Sequence, residues 1–285
     1  MHLYKTSKGN ILAVEGAYYL VDKEWDMMVN QSNLFQHLND LSKESESITE
    51  EQFIDYTQNH LLAPIGKQEV WAAGVTYLRS RNARMEESKD AGGGDFYERV
   101  YDAERPELFF KSLAHRVAAH KQEVYIRKDS TWNVPEPELT LYINSKGNVQ
   151  AYTVGNDMSS RSIEGENPLY LPQAKTYERS AALGPCLYVP ESPLSTDTNI
   201  TLIISRNNEQ AFKGTIQVNK IKRGFKELAD FLFKEISFDA GCFLMTGTGI
   251  VPPDHFTLEP GDEVSIAIDG IGELINTVAY KQDKV

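Results

Sequence analysis

Only two cysteines, Cys186 and Cys242, occur in the 285 residues, too few for a disulfide framework and without the close spacing of a zinc knuckle. Both are expected as buried free thiols. No apolar run approaches the ~20 residues needed to cross a bilayer, and the start, Met1-His2-Leu3-Tyr4-Lys5, lacks the charged-then-apolar plan of a signal peptide. The expected place is the cytoplasm, with no membrane partner. Positive charge is scarce too: 29 basic residues stand against 41 acidic ones, a formal charge of -12. Such a field repels phosphate backbones and anionic lipid, so nucleic acid is not an expected partner, and a small anionic substrate would need a local cation to hold it. There is no internal repeat and no low-complexity tract.

What remains is ordinary globular matter, 41% hydrophobic and 25% charged, with enough apolar residues for a substantial core. Residues 1–68 read as a small N-terminal α+β unit. They hold β-like stretches around Asn10 to Val21, then a helix with Leu34, Phe35, Leu38 and Leu41 at helical spacing, then a second helix opened by a capping box of Thr49 and Gln52. Residues 69–285 change character to short apolar runs punctuated by Gly, Pro and Asn, the pattern of β-sandwiches and rolls. Expected strands include Glu138 to Ile143, Val149 to Val154, Thr201 to Ser205, Val264 to Ile268 and Glu273 to Ala279. Pro260-Gly261-Asp262 leads into one of them and Asp269-Gly270 suggests a type I′ hairpin. One helix, about Lys222 to Ile236, carries an apolar stripe and is assigned to core packing. The stretch from about Arg79 to Glu104, rich in charge and containing Gly92-Gly93-Gly94, reads either as a mobile lid or as a solvated loop.

The most informative segment runs from Glu136-Pro137-Glu138 through Ser145-Lys146-Gly147-Asn148 to Asn156-Asp157. Two residues apart on a strand, Glu136 and Glu138 face the same way. An even-numbered loop centred on Lys146-Gly147 places Asp157 directly across from Glu136, on the face that carries Glu138. A three-residue loop would slip the register by one and send Asp157 to the other face. Three carboxylates on one patch repel by roughly 4 kcal/mol per close pair unless something positive lies between them. With only oxygen ligands the candidate ion is hard: Mg²⁺ first, with Mn²⁺ or Ca²⁺ as substitutes. The plain alternative is an acidic strand face pointing to water.

At this point the sequence resembles the fumarylacetoacetate hydrolase superfamily, in motifs that follow one another in the right order. Gly74-Val75-Thr76-Tyr77 is similar to its Gly-x-Asn-Tyr segment at the active-site lid. Glu136-Pro137-Glu138 and Asn156-Asp157-Met158-Ser159-Ser160-Arg161 resemble its metal-binding Glu-x-Glu and its Asn-Asp-x-Ser-x-Arg. Lys175 with Leu183-Gly184-Pro185 matches its active-site lysine and Leu-Gly-Pro, and Thr246-Gly247-Thr248-Gly249 resembles its Gly-Thr-Pro substrate loop. Within the superfamily, Trp71 to Glu87, Tyr101 to Lys111 and Ile163 to Pro168 look most like 2-keto-3-deoxy-D-arabinonate or xylonate dehydratases.

The resemblance implies a mainly β, α+β fold, a mixed β-sandwich roll, with Glu136, Glu138 and Asp157 on Mg²⁺ and a homodimer or homotetramer. It implies a hydro-lyase acting on a small-molecule 2-keto acid, dehydrating a 2-keto-3-deoxypentonate to 2,5-dioxopentanoate. Hydrolytic members carry a His and a Glu in the lid that activate water; Ser80 and Ala83 stand at those positions, and elimination of water does not need that dyad. In this reading Lys175 is the base or steadies an enolate, and Glu86 or Glu104 is the acid for the departing hydroxyl. Arg79 and Arg81 clamp the carboxylate, and Thr248 and Ser159 bind substrate. A carbon–carbon hydrolase of acylpyruvates is the alternative enzyme, and a non-catalytic sugar-binding or interaction module the alternative of another class. His115, His120 and His255 fall on no matched motif and are read as structural or solvated.

Overall fold

The computed structural model describes residues 1–87 and 94–282, without the side chains of residues 83, 84, 86, 87 and 94–97. Two sheets dominate it. The longer has eleven strands; its path runs Glu46–Ile48, Ala17–Val21, Gly9–Val14, His2–Thr6, Ala181–Tyr188, Val149–Asp157, Pro137–Ile143, Cys242–Met245, Glu69–Gly74 and Glu107–Leu113, and Val117–Ala118 joins Ala181–Tyr188 off that path. The shorter has five strands, in the order Glu209–Gln217, Asn199–Arg206, Glu263–Ile268, Gly272–Tyr280 and Glu123–Ile126. This is the α+β, mainly β sandwich roll the sequence leads one to expect.

Alternation decides which face goes where. Leu139, Leu141, Ile143, Val154 and Leu244 pack against Leu202, Ile204, Val264, Ile266 and Leu274 between the two sheets. The intervening residues, Tyr142, Ala151, Phe243 and Met245, face the other way and meet Trp25, Met28, Leu34 and Leu38 from helices Trp25–Val29 and Leu34–Glu44. Covered on both sides, Pro137–Ile143 is buried along its whole length, and from Leu139 onward only Thr140 interrupts its apolar side chains. Residues 1–68, expected as a small unit, extend the long sheet through the pairing of His2 and Leu3 with Tyr188 and Leu187. The Thr49 and Gln52 capping box forms as expected, and both cysteines are buried free thiols.

The register at the carboxylate segment has a different origin from the expected one. Beyond the loop, Ile143 pairs with Val149 and the Asn144 amide donates to the Asn148 carbonyl at 3.0 Å, so the turn is odd-numbered. On its own that turn would slip Asp157 to the wrong face. A bulge between Tyr142 and Ile143 absorbs one extra residue, Gln150, and restores the pairing of Pro137 with Asn156. Glu136 and Asp157 then exchange backbone hydrogen bonds of 3.2 and 3.0 Å. The bulged residue has a use of its own, since Gln150 Oε1 accepts from the Leu34 amide at 2.9 Å and so satisfies one orphan donor of that helix.

Three local expectations are corrected. The stretch Arg79 to Glu104 is not merely loop, because helices Leu78–Glu87 and Gly94–Asp102 occupy much of it. The helix expected from Lys222 to Ile236 is shorter, Phe225–Leu232, capped at Gly224; Leu228, Ala229 and Leu232 are buried, while Ile236 is 41% exposed. Lys222 and Arg223 lie ahead of the helix and turn toward Gly94–Asp102 instead. Asp269-Gly270 is not a type I′ turn: Gly270 has φ +78° but Asp269 has no positive φ, Ile271 donates back to Ile268, and Ile268 pairs with Gly272 across three residues. Among the described residues, no helix is long and apolar enough to cross a membrane.

If the bulge serves only to reset the register, deleting Gln150 leaves Asp157 opposite Glu136. The expected variant folds, loses about 1 kcal/mol with its bond to Leu34, and binds Mg²⁺ as before. Chemical denaturation and titration calorimetry read both effects, and loss of Mg²⁺ binding in a folded variant would show that the bulge shapes the site itself.

Candidate active site

Glu136, Glu138 and Asp157 come together at the end of the long sheet, their nearest carboxylate oxygens all within 4.8 Å of one another and all three side chains buried. Glu136 and Glu138 arrive there from one strand segment and Asp157 from the strand paired with it. So close a group is held by cations that are themselves buried. Lys175 Nζ donates to Glu136 Oε2 at 2.8 Å, to Asp157 Oδ2 at 3.0 Å and to Ser159 Oγ at 2.6 Å. Lys111 Nζ lies 2.7 Å from the other oxygen of Asp157 and donates to the Met158 and Lys175 carbonyls. Arg161 Nη2 donates to Glu136 Oε1 at 2.8 Å. Emptying one partner of such a group strands buried charge: Asp157→Ala would leave two ammonium groups short of a counter-charge, at about 3–5 kcal/mol.

Glu138 is held differently: its Oε2 accepts from the Gly247 amide. Burial, and after it the charges of Asp157 and Glu136, push its pKa well above the ordinary 4.5. Burial would also raise Asp157, but Lys111 and Lys175 outweigh it and keep that carboxyl low. Complete burial pulls Lys111 down, against the opposing pull of Asp157. The donor set is oxygen only, compact and acidic, which fits a hard divalent cation held by Glu136, Glu138 and Asp157.

Around these groups the loop Thr246 to Thr248 is fixed by Thr246 Oγ1 donating to the Leu139 carbonyl at 2.8 Å and by Thr76 Oγ1 donating to the Thr246 carbonyl at 2.7 Å. Gly247 has φ +92°, and a Cβ there would stand 2.0 Å from Thr76 Oγ1. A side chain at this position is therefore excluded by both strain and space. Ser80, Phe109, Gly247 and Thr248 line the space beside Glu136, Asp157, Arg161 and Lys175, which amounts to about 10 Å³, roughly the room of one water molecule. A cavity of about 650 Å³ lined by Arg116, Arg127, Lys128, Asp129 and Tyr177 holds none of the three carboxylates, so size does not make it the site.

Of the residues singled out from the sequence, the structure brings Glu136, Glu138, Asp157, Ser159, Lys175 and Thr248 together. Ser80 borders the same space, with its Oγ donating to the Tyr77 carbonyl at 2.8 Å and accepting from the Tyr77 amide at 3.2 Å, so its hydroxyl is occupied at the start of the helix Leu78–Glu87. Arg79 is exposed and does not border this space. Arg81 bonds Asn82 Oδ1 and lies over the Tyr101 ring at 5.0 Å. Glu104 is exposed and lends its carbonyl to Arg223. Glu86 stands on Leu78–Glu87, with its side chain outside the described residues. His115, His120 and His255 are also away from the space.

Sequence reading gave no role to Lys111 or Arg161. A signal for Lys111 existed: it sits in Leu108-Phe109-Phe110-Lys111-Ser112-Leu113, and a lysine inside an apolar strand needs a buried counter-charge. Arg161 closes the Asn156 to Arg161 motif, yet nothing in the motif says that it turns back toward Glu136.

Residues 70–279 match the model of the fumarylacetoacetate (FAA) hydrolase C-terminal family. The chain is 41% identical over 236 residues to a probable 2-keto-3-deoxyxylonate dehydratase of Haloferax volcanii, covering 82% of this chain and 79% of that protein. It is 40% identical over 223 residues to 2-dehydro-3-deoxy-D-arabinonate dehydratase of Saccharolobus solfataricus, covering 77% and 74%. Among solved structures, a 2-keto-3-deoxy-D-arabinonate dehydratase complexed with magnesium and 2,5-dioxopentanoate superposes with a TM-score of 0.83 at 30% identity, covering 99% of both chains.

The raised pKa of Glu138 sets a pH dependence. In the metal-free protein it keeps its proton above pH 4.5, so its contribution to stability is full below that value and is lost as pH rises through its folded pKa. A cation requires the ionised form, so Mg²⁺ affinity should climb with pH over that window, by up to about tenfold per unit, with release of close to one proton. Calorimetry in buffers of different ionisation enthalpy measures the proton, and Glu138→Gln should abolish both release and slope.

Proposed function

The chain belongs to the fumarylacetoacetate hydrolase family, and from that premise we propose that it is a magnesium-dependent hydro-lyase converting a 2-keto-3-deoxypentonate to 2,5-dioxopentanoate. The observation that carries the reading is the buried cluster of Glu136, Glu138 and Asp157 with Lys175 bonded to two of its members. Identity of 40% or more to two proteins named as dehydratases of such acids supports the substrate class. So does the likeness to a structure that holds magnesium and the dehydration product.

Glu136, Glu138 and Asp157 would hold Mg²⁺, which when bound polarises the 2-keto acid and lowers the cost of removing a C3 proton. Lys175 donates to Glu136 and Asp157, two of the residues that would hold the ion, so its Nζ would lie beside the bound 2-keto acid. Lys175 is thereby suited to take the C3 proton as base. Thr248, which borders the small space, and Ser159, which accepts from Lys175, are assigned to binding the substrate's oxygens. The C4 hydroxyl leaves as water, and Glu86 on the lid is the acid carried forward, while Glu104 is exposed and clear of the space. Loss of the C3 proton and the C4 hydroxyl leaves a C3–C4 double bond; removal of a C5 proton and return of a proton to C3 give an enol, which takes a proton at C4 and loses its hydroxyl proton to form the C5 aldehyde, so the net change is loss of one water from the acid. Neither lid position of the hydrolytic dyad supplies a base: Ser80 is spent on Tyr77 and residue 83 is alanine. The buried free thiols of Cys186 and Cys242 suit a reducing cytoplasm.

Incubation with a 2-keto-3-deoxypentonate and Mg²⁺ should yield 2,5-dioxopentanoate, followed by mass spectrometry, with loss of turnover on chelation. Release of pyruvate from an acylpyruvate, with no dehydration, would assign the hydrolase reaction instead. Lys175→Met should lower kcat by at least about 10³-fold, and Glu86→Gln by about 10²-fold with KM little changed. Full activity in either variant removes that residue from the mechanism.

A further inference from the structure

The space at the carboxylate cluster holds roughly one water molecule, while the substrate of the reading above is a five-carbon acid. Admission therefore requires part of the wall to move. Ser80, on Leu78–Glu87, is a wall residue that belongs to the lid. What fixes the lid therefore bears on how substrate reaches the site.

Both ends of the lid are tied to one short segment, Ile221 to Gly224. At the near end, the Lys222 amide donates to the Thr76 carbonyl at 2.9 Å and Ile221 forms a bridge with Tyr77. At the far end, the side chains of Lys222 and Arg223 reach the close of Gly94–Asp102. Arg223 Nη1 donates to the Glu104 carbonyl at 3.1 Å, and Nη2 donates to the Val100 and Ala103 carbonyls. These acceptors include the orphan carbonyls that a helix C-terminus exposes, where a cation is also favoured by the helix dipole. Lys222 Nζ donates to the Tyr101 carbonyl and pairs with Asp102 at 2.6 Å. It also sits 4.1 Å from the centre of the Tyr101 ring, which Arg81 of the first lid helix approaches to 5.0 Å. The two helices are thus pinned to each other through Tyr101 and to the body through Lys222 and Arg223.

The anchor is firm. Gly224 caps Phe225–Leu232, whose Leu228, Ala229 and Leu232 are in the core, and Arg223 Nη1 is 2.7 Å from Glu227 Oε1 on that helix. The two cations differ in weight. The Lys222 and Asp102 side chains are 35% and 68% exposed, so that ion pair is weak. The Arg223 side chain is 9% exposed and serves three carbonyls and one carboxylate, so it dominates.

We propose that Arg223, assisted by Lys222, is a positioning residue that latches the lid helices over the carboxylate cluster and so sets how readily the 2-keto acid enters. The proposal rests on the dehydratase reading for its substrate, but the latch itself does not depend on turnover. The test is Arg223→Ala in the full-length protein, with Arg223→Lys as the conservative partner and Lys222→Met as the weaker half of the latch. Limited proteolysis followed by mass spectrometry should show Arg223→Ala cleaved between residues 78 and 104 at least tenfold faster than the parent, with Lys222→Met affected less and Arg223→Lys partly restored. Mg²⁺ affinity by calorimetry should stay within twofold of the parent. In steady-state assays KM for the 2-keto-3-deoxypentonate should change at least fivefold while kcat changes less. Parental cleavage and parental KM in Arg223→Ala would overturn the proposal, as would faster cleavage with KM unchanged. Cleavage spread over the whole chain would also overturn it, since Arg223 would then serve the fold and not the lid. If no 2-keto-3-deoxy acid is turned over by any variant, the dehydratase reading fails, and the cleavage pattern still decides whether the latch exists.

Discussion

Everything in this protein's site depends on a mutual neutralisation carried out out of reach of water. Glu136, Glu138 and Asp157 share a space small enough that their repulsion would be prohibitive, and Lys175, Lys111 and Arg161 hold two of them directly. Neither the carboxylates nor the cations would be tolerated alone in so buried a place. Because the balance is local, the chain can carry a formal charge of -12 and still bury Lys111, Lys175 and Arg161 together at this one point.

The sandwich makes such a cluster possible by supplying a rigid floor. Pro137–Ile143 is clamped between the inter-sheet core and the helices of the N-terminal residues, so the positions of Glu136 and Glu138 at its leading end are fixed by packing and not by their own charges. Asp157 arrives on the adjacent strand with its backbone bonded to Glu136 on both sides. The cations come from farther away, Lys111 from Glu107–Leu113 and Lys175 from the end of the short helix Leu171–Lys175. The Lys111 bond to the Lys175 carbonyl joins those two elements to each other as well as to Asp157. One side of the site is thus sheet, and on another stands the helix Leu78–Glu87, packed with Gly94–Asp102, whose end is bonded by Arg223 and Lys222.

The carboxylate face was legible because strand periodicity is local and the two glutamates lie two residues apart. Lys175, Ser159 and Thr248 were legible through motif resemblance alone, since nothing in their immediate neighbours distinguishes them from solvated residues. The placement of Asp157 came out as expected for a reason the sequence did not display. An odd-numbered turn and a bulge at Gln150 offset each other, and bulges leave little trace in a hydrophobicity pattern. The stretch Arg79 to Glu104 reads as a lid or a solvated loop because Gly92, Gly93 and Gly94 and dense charge dominate it, and the helices Leu78–Glu87 and Gly94–Asp102 on its flanks leave little trace in that composition. The helix Phe225–Leu232 was read too long because Lys222 and Arg223 fit the helical pattern while their side chains are engaged with a distant element.

The sequence by itself determined the mainly β sandwich, the strand faces, the capping box at Thr49 and the acidic residues able to take a hard cation, because each follows from spacing within a few residues. Tertiary structure alone decided that Lys111 and Arg161 neutralise the cluster and that Arg223 caps the helix Gly94–Asp102, some 120 residues earlier in the chain. It also decided how little space the site leaves. These depend on which groups share a low-dielectric space, and that is set by the packing of elements far apart in sequence.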